Sequence, residues 1–210
     1  MARRIVAILS AVLLAVAILS ISVLRVASIN YAFNGSLAST LGETTEAGEI
    51  DINYEFPYPG RILPDHPLWP IKALRDKIWV MLTLNPSRRA ELLLLFADKR
   101  IASSKILFER GKPELAFSTL SKAEKYLQQA ANLEMENRKK GTDTKRFLTQ
   151  LANASLKHRE VINKILMIAP EDAKPEIIKT ENYSRDVYKN SRNILHSLGM
   201  PAPENPFNGD

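Results

Sequence analysis

Apolar residues recur three and four positions apart through most of the chain from about residue 70 onward, and each such run predicts an amphipathic helix. In the first, Ile71, Leu74, Ile78 and Met81 form one line, with Arg75, Trp79 and Leu82 as a flanking line. The second is bounded by Asn85 as N-cap, Pro86 in the first turn and Gly111 as the stop, and carries Ala90, Leu93, Leu94, Ala97, Ile101, Ser104 and Phe108 on one face. The third starts at Pro113 and stops before Gly141, with the small residues Ala116, Ala123, Ala130 and Ala131 interleaved with Phe117, Leu120 and Leu127. A fourth runs from about Thr144 to Ile168 through Phe147, Leu151, Ala154, His158, Val161 and Ile165. The fifth, Pro175 to Leu198, uses Ile177, Val187, Tyr188, Ile194, Leu195 and Leu198. No strand pattern of comparable length competes, so the expected fold is all-α, an antiparallel bundle of four to five helices.

Ahead of these helices the pattern changes twice. Residues 5 to 24 are an uncharged apolar run, long enough at about 1.5 Å per residue to span a hydrocarbon core of about 30 Å. The run is longer than the apolar part of a secretory signal, so it reads as an uncleaved transmembrane signal-anchor. Arg3 and Arg4 precede it and only Arg25 follows, which places the N-terminus in the cytoplasm and everything from about residue 26 outside. Residues 26 to 56 lack periodicity, are rich in Ser, Thr, Gly, Asn and Glu, and read as a flexible acidic tether. Pro57, Pro59, Pro64, Pro67 and Pro70 then form a stiff collar that forbids helix before about Leu68, with Trp69 expected to pack on the first helices. The expected domains are therefore 1 to 25, stub and anchor; 26 to 56, tether; 57 to 199, bundle; and 200 to 210, a disordered tail.

Charge refines this picture. The formal net charge of +6 divides into +3 over residues 1 to 25, −4 over 26 to 64 and +7 over 65 to 210, so it does not indicate a nucleic-acid partner. With no cysteine, disulfides and thiolate metal sites are excluded. The densest basic cluster is Arg138, Lys139, Lys140, Lys145 and Arg146, at the tip between the third and fourth helices. Such a cluster is either a solvated turn or a site for anionic headgroups and surface polymers.

Catalytic patterns are missing from the sequence. It contains no phosphate-binding glycine loop, no G-x-S-x-G and no H-E-x-x-H, and no histidine has a carboxylate or second histidine three or four positions away. Glu91 and Glu160 are the acids nearest apolar helix faces. No cofactor is expected. His158 lies on the core stripe, where burial would favour a neutral imidazole; it is either a satisfied structural histidine or a pH-sensitive group.

The stretches "LPDHPLWPIKALRDKIWVMLTLNPSRRAELLLLFADKRI" and "LFERGKPELAFSTLSKAEKYL" resemble an uncharacterised prokaryotic family of membrane-anchored extracytoplasmic helical domains, a domain of unknown function, from Ile62 to about Gln129. The likeness is carried by Leu63, Pro64, Pro67, Trp69, Lys72, Pro86, Arg89, Ala90, Arg100 and Gly111. It implies a tethered helical domain and supplies no activity. The resulting expectation is a non-enzymatic, single-pass protein of the plasma membrane. Its extracytoplasmic bundle would bind or scaffold an envelope protein or an anionic surface polymer. The alternatives are a sensor acting on a membrane partner through its anchor, and an enzyme of cell-wall glycan.

Overall fold

The structure, a computed structural model, describes residues 51–207. Five helices make up the fold, and no strand occurs among the described residues. They are α1 (Trp69–Leu82), α2 (Pro86–Glu109), α3 (Pro113–Lys139), α4 (Lys145–Ile168) and α5 (Lys174–Ser197). Their boundaries follow the local chemistry. Asn85 Oδ1 accepts the Arg88 amide at 3.1 Å, satisfying one of the free N–H groups that open α2. Gly111, at φ 67°, closes the same helix with its amide on the Phe108 carbonyl while the Lys112 amide bonds Leu107.

Helices α2 to α5 form the bundle. The α2–α3 and α4–α5 hairpins are the closest pairs; α3 also lies along α5 and α2 along α4, whereas α2 and α5 do not meet. Around the bundle the order is therefore α2, α3, α5, α4, and the five-residue link from α3 to α4 crosses a diagonal. Core composition gives the directions. The C-terminal half of α2 (Ile101, Leu107, Phe108) packs with the N-terminal half of α3 (Ala116, Leu120, Ala123), the C-terminal half of α4 (Val161, Ile162, Ile165) and the start of α5 (Ile177). Neighbours in sequence are antiparallel, and α2 runs parallel to α4. The stripes expected for α2 to α5 are buried through most of their length, with Ile168 and Leu198 emerging at the ends.

Helix α1 departs from expectation. Its line Ile71, Leu74, Met81 faces solvent at 57% exposure or more, with Leu82 also exposed. The flanking face docks instead: Trp79 is buried with its ring edge-on to Phe96 of α2 at 5.8 Å. Asp76, also buried, bonds Arg75 at 2.7 Å and lies in the field of Lys72, Lys99 and Arg100. Spacing alone offered two apolar lines, and the buried carboxylate with its cations decides which one faces the bundle. Trp69 is only half-buried, so Trp79 is the tryptophan that anchors this helix.

Both flanking segments pack on the bundle. Residues 51–56, expected to belong to the tether, lie against α4 with Ile52 buried, and Lys157 Nζ bonds Asp51 and the Ile52 carbonyl. Residues 200–207, expected to be a disordered tail, run back over α4 and α5. The Tyr188 hydroxyl donates to the Pro203 carbonyl at 2.8 Å, and Phe207 is buried beneath the Arg159 guanidinium at 4.4 Å. Apolar side chains supply the physical reason in both cases. Ile52 and Phe207 share one cluster with Leu148, Leu156, Tyr188 and Leu195. The expected anchor at residues 5 to 24, and the rest of the tether to residue 50, lie outside the described residues. Among the described residues, no helix is long and apolar enough to cross a membrane.

Candidate functional site

A chain of ionisable groups occupies the middle of the bundle. His158 of α4 has no solvent exposure. Its Nδ1 meets Glu124 Oε1 of α3 at 2.6 Å, and its Nε2 meets Asp98 Oδ1 of α2 at 3.1 Å. The other Asp98 oxygen accepts the Tyr54 hydroxyl at 2.7 Å, and Phe56 stands edge-on to the imidazole at 5.4 Å between ring centroids. Three helices and the N-terminal strap, residues 51–56, thus converge on one ring.

The electrostatics follow from this geometry. Burial alone opposes a charge on His158. Against it act the charge of Glu124, the hydrogen bonds to Asp98 and Glu124, and the charge of Asp98, which together hold the imidazole pKa up at about 9. The ring is therefore an imidazolium at neutral pH, correcting the neutral form expected from burial. Its partners come from other helices, 34 and 60 residues away, where no local spacing rule could find them. Tyr54 is pushed well above the ordinary phenol range, first by burial and then by the charge of Asp98, so it remains a hydrogen-bond donor. Glu124 Oε2 is buried without a hydrogen-bond partner among the described residues. The two carboxylates grip opposite edges of the imidazole, so they cannot join either ring nitrogen in holding a single ion. No group of three metal-ligating residues suited to a metal ion occurs among the described residues.

A second set of buried acids fastens the flanking segments. Glu160 accepts the Ile52 amide at 2.9 Å and pairs with Lys157 and Lys164. Glu181 accepts from Arg159 at 3.0 Å. Of the two acids singled out by sequence, Glu160 is buried, whereas Glu91 sits on the surface paired with Arg88. Asp98, Glu124, Glu134 and Glu181 were not marked by any sequence pattern.

The residues expected to carry a family likeness prove to build the entry to the bundle. Lys72 donates to the carbonyls of Pro59 and Ile62, each at 2.8 Å, and lies over the Trp69 ring at 5.1 Å. Its pKa is lowered, chiefly by burial. A side chain at Gly60 (φ 90°) would crowd the ammonium, its Cβ 3.3 Å from Lys72 Nζ. Leu63 is buried, Pro64 is half-buried and Pro67 is exposed. Arg89 Nε caps the α1–α2 turn on the Thr83 carbonyl at 3.0 Å, Pro86 opens α2, and Ala90 is buried beside it. Arg100 is sandwiched between the rings of Phe96 and Tyr126 at 5.7 and 4.3 Å. Asp65 bonds Arg110 and Lys112, tying the collar to the turn marked by Gly111. These roles are architectural.

The basic tip is placed together at one end of the bundle, as the sequence order requires. Lys139, Lys140, Lys145 and Arg146 are exposed there. Arg138 is different, because its Nε bonds Glu134 at 3.1 Å, a carboxylate that is itself buried and held by Thr144 at 2.6 Å. Beside the tip is a cavity of about 250 Å³, with Ser87, Glu91, Asn137, Thr144 and Arg146 among its lining. The start of α2, and with it the end of α1, is therefore at the same end as the basic tip.

Residues 61–172 match the family described as "Domain of unknown function (DUF5667)", more than half of the chain. The match begins in the proline collar and continues through α4, so it takes in Asp98, Glu124 and His158 as well as the stretch identified from sequence. No curated protein and no solved structure matches the chain.

Proposed function

The chain belongs to this DUF5667 family of unknown function, and from that premise we propose that it is a membrane-tethered helical module that works outside the plasma membrane by binding, without catalysis. The observation that carries this reading is the docking of residues 51–56. Residues 51–56, the chain entering the bundle, are keyed into it through Ile52 on Glu160 and Tyr54 on Asp98, which presents the helices and their entry segment as one unit. Such a unit suits a binding or scaffolding role towards an envelope protein or an anionic polymer, the latter through Lys139, Lys140, Lys145 and Arg146.

The same contact favours a second reading, an extracytoplasmic sensor. Tyr54 and Phe56 touch the ionised centre directly, so undocking of the strap and the charge on His158 are thermodynamically linked.

Two measurements test these readings. Protease added to intact spheroplasts should digest the bundle while the residues before it remain with the membrane; a protected bundle would overturn the extracytoplasmic placement. Replacing residues 1 to 28 by an unrelated anchor then separates the two roles. A binding module keeps the partners it cross-links to in cells, whereas a sensor coupled through its own membrane helix loses them.

A further inference from the structure

We propose that α1 is an interfacial helix whose outer face lies in the headgroup region of an anionic bilayer, holding the bundle against the membrane. The proposal rests on the reading of residues 5 to 24 as a membrane anchor.

The face itself is the first observation. Ile71, Leu74, Met81 and Leu82 are each at least 57% exposed, and Leu68 and Leu84, just beyond the two helix ends, are 49% and 87% exposed. At 100° per residue these four helical positions, with Ile78 between them, fall within one stripe about 100° wide. Exposed Lys77 borders this stripe on one side; on the other is Arg75, partly buried in its pair with Asp76, the only acid of α1, which is turned inward. An apolar stripe edged by an exposed lysine, with basic residues and no exposed acid on its helix, matches the chemistry of a bilayer surface with negative headgroups.

Placement supplies the second observation. Twenty-six residues separate the end of the apolar run at Leu24 from Asp51, and a flexible chain of that length has an r.m.s. span of about 28 Å. That is less than the length of α2, a 24-residue helix of about 36 Å. A flexible link of that length would keep the bundle, on average, within about one helix length of the bilayer. The C-terminal end of α1 lies at the same end of the bundle as Lys139, Lys140, Lys145 and Arg146, whose charges add to the attraction.

A second copy of the chain is the weaker occupant. Pairing the face with itself would bring Lys77 of one copy towards the basic edge of the other, with no exposed acid on α1 to receive it. Six side chains also fall short of the roughly 20–30 residues per side of a stable protein interface.

The chain contains no cysteine, so a single introduced thiol labels one position. Full-length Leu74→Cys, and Gln128→Cys on an exposed position of α3, would each carry an environment-sensitive fluorophore. Both would be reconstituted into vesicles of phosphatidylcholine alone or with one third phosphatidylglycerol, some containing lipids that bear a nitroxide near the headgroup. The expected result is blue-shifted emission and severalfold stronger nitroxide quenching at position 74 than at 128, reduced in neutral vesicles. With the probe moved to Met81→Cys, adding Leu74→Glu should abolish the quenching while the protein still floats with the vesicles. Solvent-like emission at position 74 in protein that floats with anionic vesicles overturns the interfacial helix and leaves the anchor standing. Emission that shifts with protein density, together with 74-to-74 disulfide cross-links in unlabelled Leu74→Cys, assigns the face to a second copy and overturns it too. Protein that floats with neither vesicle overturns the anchor together with the proposal.

Discussion

The Tyr54 hydroxyl donates to Asp98 Oδ2 at 2.7 Å across 44 residues of sequence, joining the strap to the carboxylate that also holds His158. Removing only that hydroxyl, Tyr54→Phe, leaves Asp98 with an unmet acceptor in a buried site. Urea unfolding should show a loss of about 1.5–3 kcal/mol, the range for hydrogen bonds to charged groups. An unchanged midpoint would mean that the strap does not dock in solution.

The His158 pair predicts a pH dependence with a definite sign. Its folded-state pKa, about 9, lies above its ordinary 6.5, so the folded protein binds the proton more tightly. The stabilisation is fully present below pH about 6.5 and disappears as pH rises through about 9, amounting to about 3 kcal/mol at most. The groups facing the ring are Glu124, Asp98 and the Tyr54 hydroxyl on Asp98. Denaturant midpoints measured between pH 6 and 10 should fall for the wild type, and the fall should flatten in His158→Gln. Equal slopes would assign the change to other groups.

Trp79→Ala removes the side chain that fastens α1 to α2. Truncation of a buried aromatic costs about 3–5 kcal/mol, yet α1 touches the rest of the domain mainly through this one helix pair. The loss should therefore appear as local release. Amide hydrogen exchange is expected to accelerate in residues 69–82 far more than in α4, and Trp69→Ala should do less because Trp69 is half-buried. Uniform acceleration across all helices would show instead that α1 unfolds only with the bundle.

Arg138 and Lys139 are neighbours with different work. Arg138→Glu sets a second carboxylate beside buried Glu134 and should lower stability by about 1–2 kcal/mol, whereas Lys139→Glu should stay within about 0.5 kcal/mol. Thermal unfolding of the two variants checks this. Equal shifts would place both side chains in solvent. Any charge reversal aimed at anion binding should consequently leave Arg138 in place.

Much of the helical frame is legible in the sequence because its punctuation is local. Asn85 with Pro86, and Gly111, act within four residues of themselves, and the boundaries of α2 to α5 fall within one residue of those punctuation marks or periodic runs. The centre is not legible for the opposite reason. Asp98, Glu124 and His158 come from three helices, and a carboxylate destined for burial looks like any other on its own helix. Periodicity likewise showed that α1 has two faces without showing which one docks, a choice made by Asp76 and Trp79. The strap has no period at all. Ile52 and Tyr54 alternate with polar neighbours over too few residues to stand out from the acidic stretch around them.

The shared cluster of Ile52 and Phe207 brings the two limits of the described chain together on one turn of α4, where Lys157 and Glu160 hold one and Arg159 the other. The domain is in this sense nearly a closed ring, and a circularly permuted chain should fold. A short linker from 207 to 51 would replace contacts that already exist, and new ends could open in the link at 140–144 that crosses the diagonal. Cut there, the α2–α3 and α4–α5 hairpins would exchange their order in the sequence while keeping every helix pair they now form.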